Sequence, residues 1–488
     1  MADDDLIKEK LKKLEALKEK DINPYPHNYS KKKDDISKIK EKHNSLEANQ
    51  RTGEKKNVAG RIMLLRNMGK AAFITIQDEQ ERIQIFMRKQ DTSNYDLIKY
   101  LDLGDFIGVS GEVFTTKTGE LSIHAEEFEI LTKTTRPLGS KHQGITSTEA
   151  KYRKRHLDLI FNEDSYEVFQ KRLKMMKEIR KFLDSKGFIE VETPILHPIY
   201  GGAEAKPFKT YHNQLKSDLY LRISPELYLK RLIVGGLHKV YDINKNFRNE
   251  GIDTTHNPEF TMLELYEAYK DYNDMMKITE EMFEHVAKKI NGTTKVKFKG
   301  QEIDLKAPWK RVTMLDAIKK HAGIDAGNMS EEELAKFLKE RGIKFDKEPK
   351  WGNYVIEIFE ELCEDKYIQP TFIIDHPVES SPLCKSHKSD SRLIERFEPI
   401  CAGMEIANAY TELNDPKVQR ELLEDQARQL REGDEEANPM DEEFVQAIEH
   451  GMPPTGGLGI GLDRMAMLLV GKESIRDVIF FPTMKPEE

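Results

Sequence analysis

Cysteine is scarce in this 488-residue chain: Cys363, Cys384 and Cys401 are the only three, spaced about twenty residues apart, with no Cys-x-x-Cys pair. That excludes a disulfide-stapled scaffold, a paired-cysteine zinc site and a dithiol redox motif, and makes ordinary buried thiols in a reducing compartment the expectation. Long apolar runs are missing too. With no stretch able to cross a bilayer and an acidic start at Met1-Ala2-Asp3-Asp4-Asp5, the expectation is an unexported, cytoplasmic chain with no membrane partner. A complete dinucleotide fingerprint is also lacking. The segment from Gly456 to Arg464 reads GGLGIGLDR, and Arg464 stands where the third glycine of G-x-G-x-x-G belongs. Nor is there an excess of positive charge. A formal net charge of -9 argues against indiscriminate coating of nucleic acid, although residues 1–56 carry 15 Lys+Arg against 12 Asp+Glu and leave room for a local basic track.

What is present points to two or three domains, given the length and the 38% apolar content. Leu6, Leu11, Leu14 and Leu17 fall near one stripe of a helix over residues 6–20, either packed on the next domain or touching an RNA backbone. Residues 21–57 lose that period and read as an irregular linker, so 1–57 is taken as N-terminal helix and linker. From Val58 to Thr135 come five short alternating runs: Val58 to Leu64, Ala72 to Gln77, Arg82 to Met87, Phe106 to Val113 and Leu121 to Leu131. Five strands in about eighty residues fit an OB-fold barrel, whose open face stacks unpaired bases. Ile83, Ile85 and Met87 point one way, Gln84 and Phe86 the other; Phe73 is either a core residue or a stacking platform.

The central stretch is FRNEGIDTTHNPEFTMLELY, Phe247 to Tyr266. It predicts an antiparallel hairpin with a long polar loop from Gly251 to Pro258. Alternation puts Arg248 and Glu250 on one face and Phe260, Glu264 and Tyr266 on the facing one. Such a surface either grips a phosphate or carboxylate beside an amine, or is simply the wet side of a sheet. Upstream, a linker over 136–155 precedes a helix capped at Asp164 and stopped by Gly187, then a strand from Phe188 to Glu192. The loop from Tyr200 to Ala205 is glycine-rich, and Ser224-Pro225-Glu226 opens a helix whose Glu226 either serves the dipole or joins the Arg248 surface. Residues 271–350 read as helices. Strands return at Thr371 to Asp375, Arg396 to Ile400 and Met404 to Glu412; Asn408, Tyr410 and Glu412 share a face, and Glu398 and Glu405 are spaced to pair as magnesium ligands.

FRNEG…THNPEF resembles motif 2 of the class II aminoacyl-tRNA synthetases, the helix and strand ending at Thr193-Pro194 resemble motif 1, and GGLGIGLDR resembles motif 3. GGAEAKPF, RISPELYLK and NAYTELND look like the lysine-specific branch of subclass IIb, and the likeness runs from about Leu11 to the end of the chain; no HIGH-like or KMSKS-like segment speaks for class I. The resemblance implies an α+β chain: an OB-fold anticodon-binding barrel at 58–135 and a class II catalytic domain at 156–488, an antiparallel sheet flanked by helices, with a helical insertion at about 271–350. It further implies ATP-dependent ligation of L-lysine to tRNA(Lys) through lysyl-adenylate, with Mg2+, in a homodimer joined by motif 1. Arg248, Glu250 and Arg464 would be catalytic. Gly202, Glu226, Arg248, Glu264, Tyr266, Asn408, Tyr410 and Glu412 would bind lysine, with Glu412 and Tyr266 together receiving the ε-ammonium and ornithine the harder competitor. ATP would meet Arg248, Asn249, Glu250, His256, Asn257, Phe260, Glu405, Ile406, Gly461 and Arg464, and the metal Glu398 and Glu405. Anticodon contacts would fall on Arg66, Phe73, Gln84 and Glu127. A protein-lysylating relative would not need the barrel, and a non-catalytic RNA-binding scaffold would not need every motif residue.

Overall fold

The computed structural model describes residues 2–79, 81–138, 147–345, 347–434 and 436–487. Two compact units divide the chain, Met1–Thr146 and Ser147–Glu488. Much of the linker expected at 136–155 lies outside the described residues, and its far end, Thr148–Arg153, is helical.

In the first unit, five strands close into a barrel in the order β1-β2-β3-β5-β4: β1 Arg51–Asn67, β2 Ala71–Asp78, β3 Glu81–Arg88, β4 Phe106–Thr115 and β5 Leu121–Thr132. All pairs are antiparallel except β3 with β5. Closure falls to β1, which starts well before Val58, is irregular between Ile62 and Leu64, and pairs β4 with its first half and β2 with its second. The alternation read from the sequence is the barrel's inside and outside: Ile83, Ile85 and Met87 are buried.

The segment before the barrel is more ordered than its composition suggests. The first helix spans Ala2–Lys18, and it is Leu14 and Leu17 that bury while Leu6 and Leu11 stay exposed. Residues 21–57 are not an irregular linker. A second helix, Ile36–Lys42, starts where the Asp35 carboxylate accepts the Ser37 N–H, and Ile36 and Ile39 enter the barrel core. High lysine and asparagine content concealed an isoleucine pair at helical spacing.

The second unit is built on an eight-stranded sheet. In chain order its members and satellites are β6 Ile189–Glu190, a small sheet of β7 Leu196–His197, β8 Lys209–His212 and β9 Ser217–Leu221, then β10 Lys239–Phe247 and β11 Glu259–Ala268. A hairpin of β12 Lys295–Phe298 and β13 Gln301–Asp304 follows, then β14 Lys310–Thr313, β15 Thr371–Pro377, β16 Leu393–Ile400, β17 Ala407–Thr411 and β18 Thr455–Gly461. The main sheet runs β14-β15-β16-β17-β18-β11-β10-β6. Its six inner strands are antiparallel, as expected, and an extra strand joins in parallel at each edge.

Helices Glu163–Ser185, Tyr272–Asn291 and Leu462–Val470 cover one face of this sheet and share its largest core. The span 271–350 therefore departs from an all-helical insertion: its first helix belongs to the main core, and it contributes three strands. Lys295-Val296-Lys297-Phe298 alternates and turns at Lys299-Gly300, both with positive φ, so a hairpin signal was present in the sequence. Asp164 also sits one residue inside its helix, which opens at Glu163. The three cysteines are free and buried. Among the described residues no helix is long and apolar enough to cross a membrane.

Candidate active site

The opposite face of the sheet, packed in part by the helix Glu226–Val234, carries the chemistry, and strand alternation explains how. On β11, Leu263 and Leu265 go to the helix-covered core, which leaves Phe260, Met262, Glu264 and Tyr266 on the other side. Ala407 and Ala409 on β17, and Leu458 and Ile460 on β18, likewise face the core. Opposite them stand Asn408, Tyr410 and Glu412, and the glycines 457, 459 and 461. Together these line a cavity of about 370 Å3. The glycines are its floor. A Cβ on Gly457 would collide with the Glu412 carboxylate and lie 2.6 Å from the Tyr266 ring, and one on Gly459 would lie 2.5 Å from the Met262 methyl. Gly457→Ala should therefore raise the KM of any substrate that reaches the Glu412 carboxylate by about tenfold or more, through displaced side chains. Steady-state kinetics on the soluble variant check this, and an unchanged KM would show the floor to be unimportant.

One end of the cavity is lined by Arg248 and Arg464. The backbone N–H of Arg248 donates to Pro258 O at 2.9 Å, closing the loop between β10 and β11. β10 ends at Phe247, so Arg248 and Glu250 lie just beyond the strand, yet both reach the cavity. The guanidinium stands over the Phe260 ring at 5.2 Å, and its Nε is buried without a hydrogen-bond partner among the described residues. Burial pulls its pKa down, opposed by Glu250, Glu405 and Glu264. A buried guanidinium N–H without an acceptor is suited to an anion brought from outside the chain. Nearby, Arg464 donates to the Glu405 carbonyl at 2.8 Å and to its carboxylate at 3.0 Å, and approaches His256 Nε2 at 3.1 Å. His256 also holds Asp253 at 2.8 Å.

Other predicted nucleotide contacts sort unevenly. Glu250, Phe260, Ile406 and Gly461 line the cavity. Asn249 does not; its side chain is exposed, and its backbone N–H is bonded to Lys206 O. Asn257 lines the cavity but spends its amide as a brace, donating to Glu259 O at 2.6 Å and accepting from the Thr483 N–H at 3.1 Å. Asp463, not singled out from sequence, is buried, accepts the Thr261 N–H at 2.7 Å and pairs with Arg172 at 2.6 Å. It ties the arginine-bearing helix to β11 and to the helix Glu163–Ser185. The sequence signal was its place beside Arg464 at a helix start.

The other end is crowded with carboxylates. Gly202 has φ +89°, and a Cβ there would lie 2.9 Å from Ser224 Oγ and 3.0 Å from the Glu226 side chain, so only glycine brings that backbone so close. The Ser224 hydroxyl accepts the Glu226 N–H at 3.1 Å and donates to Glu264 at 2.8 Å. Glu226 accepts from the Tyr410 hydroxyl at 2.6 Å and from the Lys230 ammonium at 2.5 Å. Tyr266, expected to receive an ε-ammonium together with Glu412, lies with it against Gly457, and its hydroxyl donates to Glu264 at 3.2 Å, two residues away on the same face of β11. Glu412 is 0% exposed. Its contact is with the Lys230 ammonium, and no other donor among the described residues reaches either oxygen. Lys230 was missed because only the fold brings Glu412 to the helix Glu226–Val234.

Burial, reinforced by Glu226, pushes Glu264 up to about 8, so it holds a proton at neutral pH. Burial also drives Glu412 upward, against the pull of Lys230. For Lys230, burial acts downward, but Glu226 and Glu412 outweigh it and the net shift is upward. The ammonium is charged, and Glu412 ionises to the extent that cations stand beside it.

Between the two ends lie Asn408, which accepts from Arg396 Nε at 3.1 Å, and Glu398, which accepts from Arg396 Nη2 at 2.5 Å. Glu405 sits in the turn before β17, later than the strand start expected at Met404. Among the described residues no group of three or more His, Cys, Asp or Glu is arranged to hold a metal. Two cavity-lining carboxylates with the remaining positions left to phosphate and water are nevertheless the donor set magnesium uses. Burial, with the nearby charges of Glu398 and Glu405, pushes Glu364 up to about 7, while Glu398 and Glu405 are themselves paired with Arg396 and Arg464.

The barrel of the first unit presents its own surface. Arg66, Phe73, Phe86 and His124 stand in register across β1, β2, β3 and β5, with the two phenyl rings 4.8 Å apart and the Phe86 and His124 rings 5.4 Å apart. Phe73 is half-buried and is not among the buried residues of the barrel core. Gln84 donates to Ser122 Oγ at 2.9 Å in the next row. Glu127 does not join this group: it lies past His124 on the side away from Ser122 and is ion-paired with Lys31.

Comparison with known proteins agrees with this geometry. Residues 147–485 match the family described as tRNA synthetases class II (D, K and N), and residues 57–131 match the OB-fold nucleic acid binding domain. A protein of Clostridium novyi named Lysine--tRNA ligase is 50% identical over 487 residues, covering 99% of this chain and 94% of that one. Proteins of the same name from Pelotomaculum thermopropionicum, 55% identical over 88% of this chain and 86% of that one, and Methanoculleus marisnigri, 49% identical over 98% and 94%, are similar. With a full catalytic-domain match and relatives half identical from end to end, the chain belongs to the class II tRNA synthetases of the D, K and N group.

Proposed function

We propose that the chain ligates L-lysine to tRNA(Lys), using ATP and passing through lysyl-adenylate. One observation carries the choice of amino acid: the fully buried Glu412 over a side-chain-free Gly457, in a cavity whose far end holds Arg248. A buried carboxylate suits an ε-ammonium, and a substrate that leaves it unpaired is rejected strongly. The printed name of the relatives supports the same reading.

In this reading Glu226 and the Gly202 backbone hold the α-ammonium, while Arg248 and Asn408 hold the carboxylate, with Glu264 and Tyr410 bracing the pocket around them. A carboxylate oxygen attacks the α-phosphorus of ATP and the bond to pyrophosphate breaks; Arg248 takes the charge that develops. Phe260 and Arg464 flank the adenine, and Glu250, His256, Ile406 and Gly461 border it. Glu398 and Glu405 would hold Mg2+, which supplies charge neutralisation on the phosphates when bound. A hydroxyl of the terminal tRNA ribose then attacks the adenylate carbonyl and AMP leaves. No side-chain nucleophile is required, because alignment and charge compensation lower both barriers.

The barrel favours tRNA as acceptor over a protein lysine, since its row of Arg66, Phe73 and Phe86 beside Gln84 suits splayed anticodon bases. Exposed Ile189, Ile195 and Leu196 at the edge near β6 and β7 support pairing with a second copy there, and the reaction belongs in the cytosol. The test is lysylation of a tRNA with a UUU anticodon. Phe73→Ala with Gln84→Ala should raise the KM for that tRNA about tenfold or more and leave lysine activation without tRNA unchanged. Equal charging by this double variant would remove base recognition from the barrel face.

A further inference from the structure

Lys230 is an internal cation placed where the substrate's own ammonium groups are received, and nothing in the adenylation chemistry above uses it. It is 0% exposed, donates to Glu226 at 2.5 Å, touches Glu412, and stands over the Tyr410 ring at 5.5 Å. Its further contact is the Leu383 carbonyl at 3.5 Å. One ammonium thus links the carboxylate assigned to the α-amino group with the carboxylate assigned to the ε-amino group. Resting on the lysine reading, we propose that Lys230 is a positioning and specificity residue: it holds Glu226 and Glu412 at a fixed separation and supplies the standing positive charge that lets a buried carboxylate pair receive a dicationic amino acid.

The argument is one of charge count. An empty buried pocket cannot keep Glu412 ionised beside a second carboxylate without a cation, so in its absence a proton takes that place. Substrate ammonium groups would then have to displace that proton. The charged and titratable groups around the ammonium are Glu226 on its own helix, Tyr410 and Glu412 from the β17 segment, and Glu264 and Tyr266 from β11; Cys384 comes from the loop before β16, with Glu395 and Arg396 on β16 itself. Burial pushes Cys384, Tyr266 and Tyr410 well up, which silences them near neutrality and leaves the carboxylates to exchange protons.

Lysine-dependent ATP–pyrophosphate exchange and lysine-binding calorimetry, in buffers of different ionisation enthalpy, test this on wild type and Lys230→Met. The variant should raise KM for lysine by about 30-fold or more at pH 7 while the KM for ATP stays put. It should release about one more proton per lysine bound than wild type, so that log KM against pH falls one unit more steeply. Lys230→Arg should keep the wild-type proton count, and Lys230→Gln carries the same readout as Met should that variant fail to fold. An unchanged proton count and slope in the neutral variants, or equal rises in both KM values, would overturn the role. Wild type that exchanges with no lysine would remove the substrate reading itself, and this inference with it.

Discussion

Arg248→Ala is expected to slow adenylate formation by about three orders of magnitude with little loss of stability. The size follows from what the guanidinium does: a pre-positioned cation aimed at charge that develops in the transition state, in a site with little water, typically contributes about 10^2 to 10^3 in rate. The intact fold follows from what it does not do. Its Nε has no hydrogen-bond partner among the described residues, and the guanidinium stands over the face of Phe260, so removal breaks no hydrogen bond made there by Nε. Pre-steady-state adenylate formation and a thermal melt on the same preparation give the answer. A variant that is folded and within tenfold of wild type would take Arg248 out of the chemistry.

Glu412→Gln should lower kcat/KM for lysine by about 10^3-fold, because it removes one of two buried charges facing each other and leaves the incoming ammonium unpaired. Glu264→Gln, a few ångströms along the same surface, should cost less than about tenfold at pH 7, since a group raised to about 8 is already neutral there. The sign for stability is the reverse of the usual carboxylate. Between its ordinary 4.5 and about 8 the folded chain holds a proton that the unfolded chain gives up, so Glu264 destabilises the empty enzyme progressively as pH rises through that window. Glu264→Gln should therefore melt higher than wild type at pH 8 and alike at pH 4.5. Equal losses of lysine activity in the two glutamine variants would mean that the Lys230 ammonium beside Glu412 does not separate their roles.

Which parts of this were legible in the sequence follows from the range of the forces involved. Alternation within a strand is local, so the working faces of β11 and β17, the inward Ile83, Ile85 and Met87, and the family motifs could be read directly. So could the failure of the glycine-rich segment as a dinucleotide fingerprint, although why glycine recurs there emerged only when Gly457 was found under Glu412 and Tyr266. Partner choice was not legible. Tyr266 bonds its strand neighbour Glu264, and Lys230, one helical turn from Glu226, meets a carboxylate that comes from 182 positions further on, which no local period encodes. Composition misled at residues 36–42, where lysine hides an Ile-x-x-Ile pair, and at 295–304, where a short hairpin sat inside a stretch expected to be helical.

The decisive measurement is amino-acid-dependent ATP–pyrophosphate exchange without tRNA, across the twenty standard amino acids and ornithine. Exchange with lysine, weak exchange with ornithine, whose shorter chain leaves Glu412 imperfectly paired, and none with aspartate or asparagine is what the cavity demands. Exchange driven by aspartate or asparagine would preserve the fold and the Arg248 chemistry while contradicting the buried-carboxylate account of the pocket.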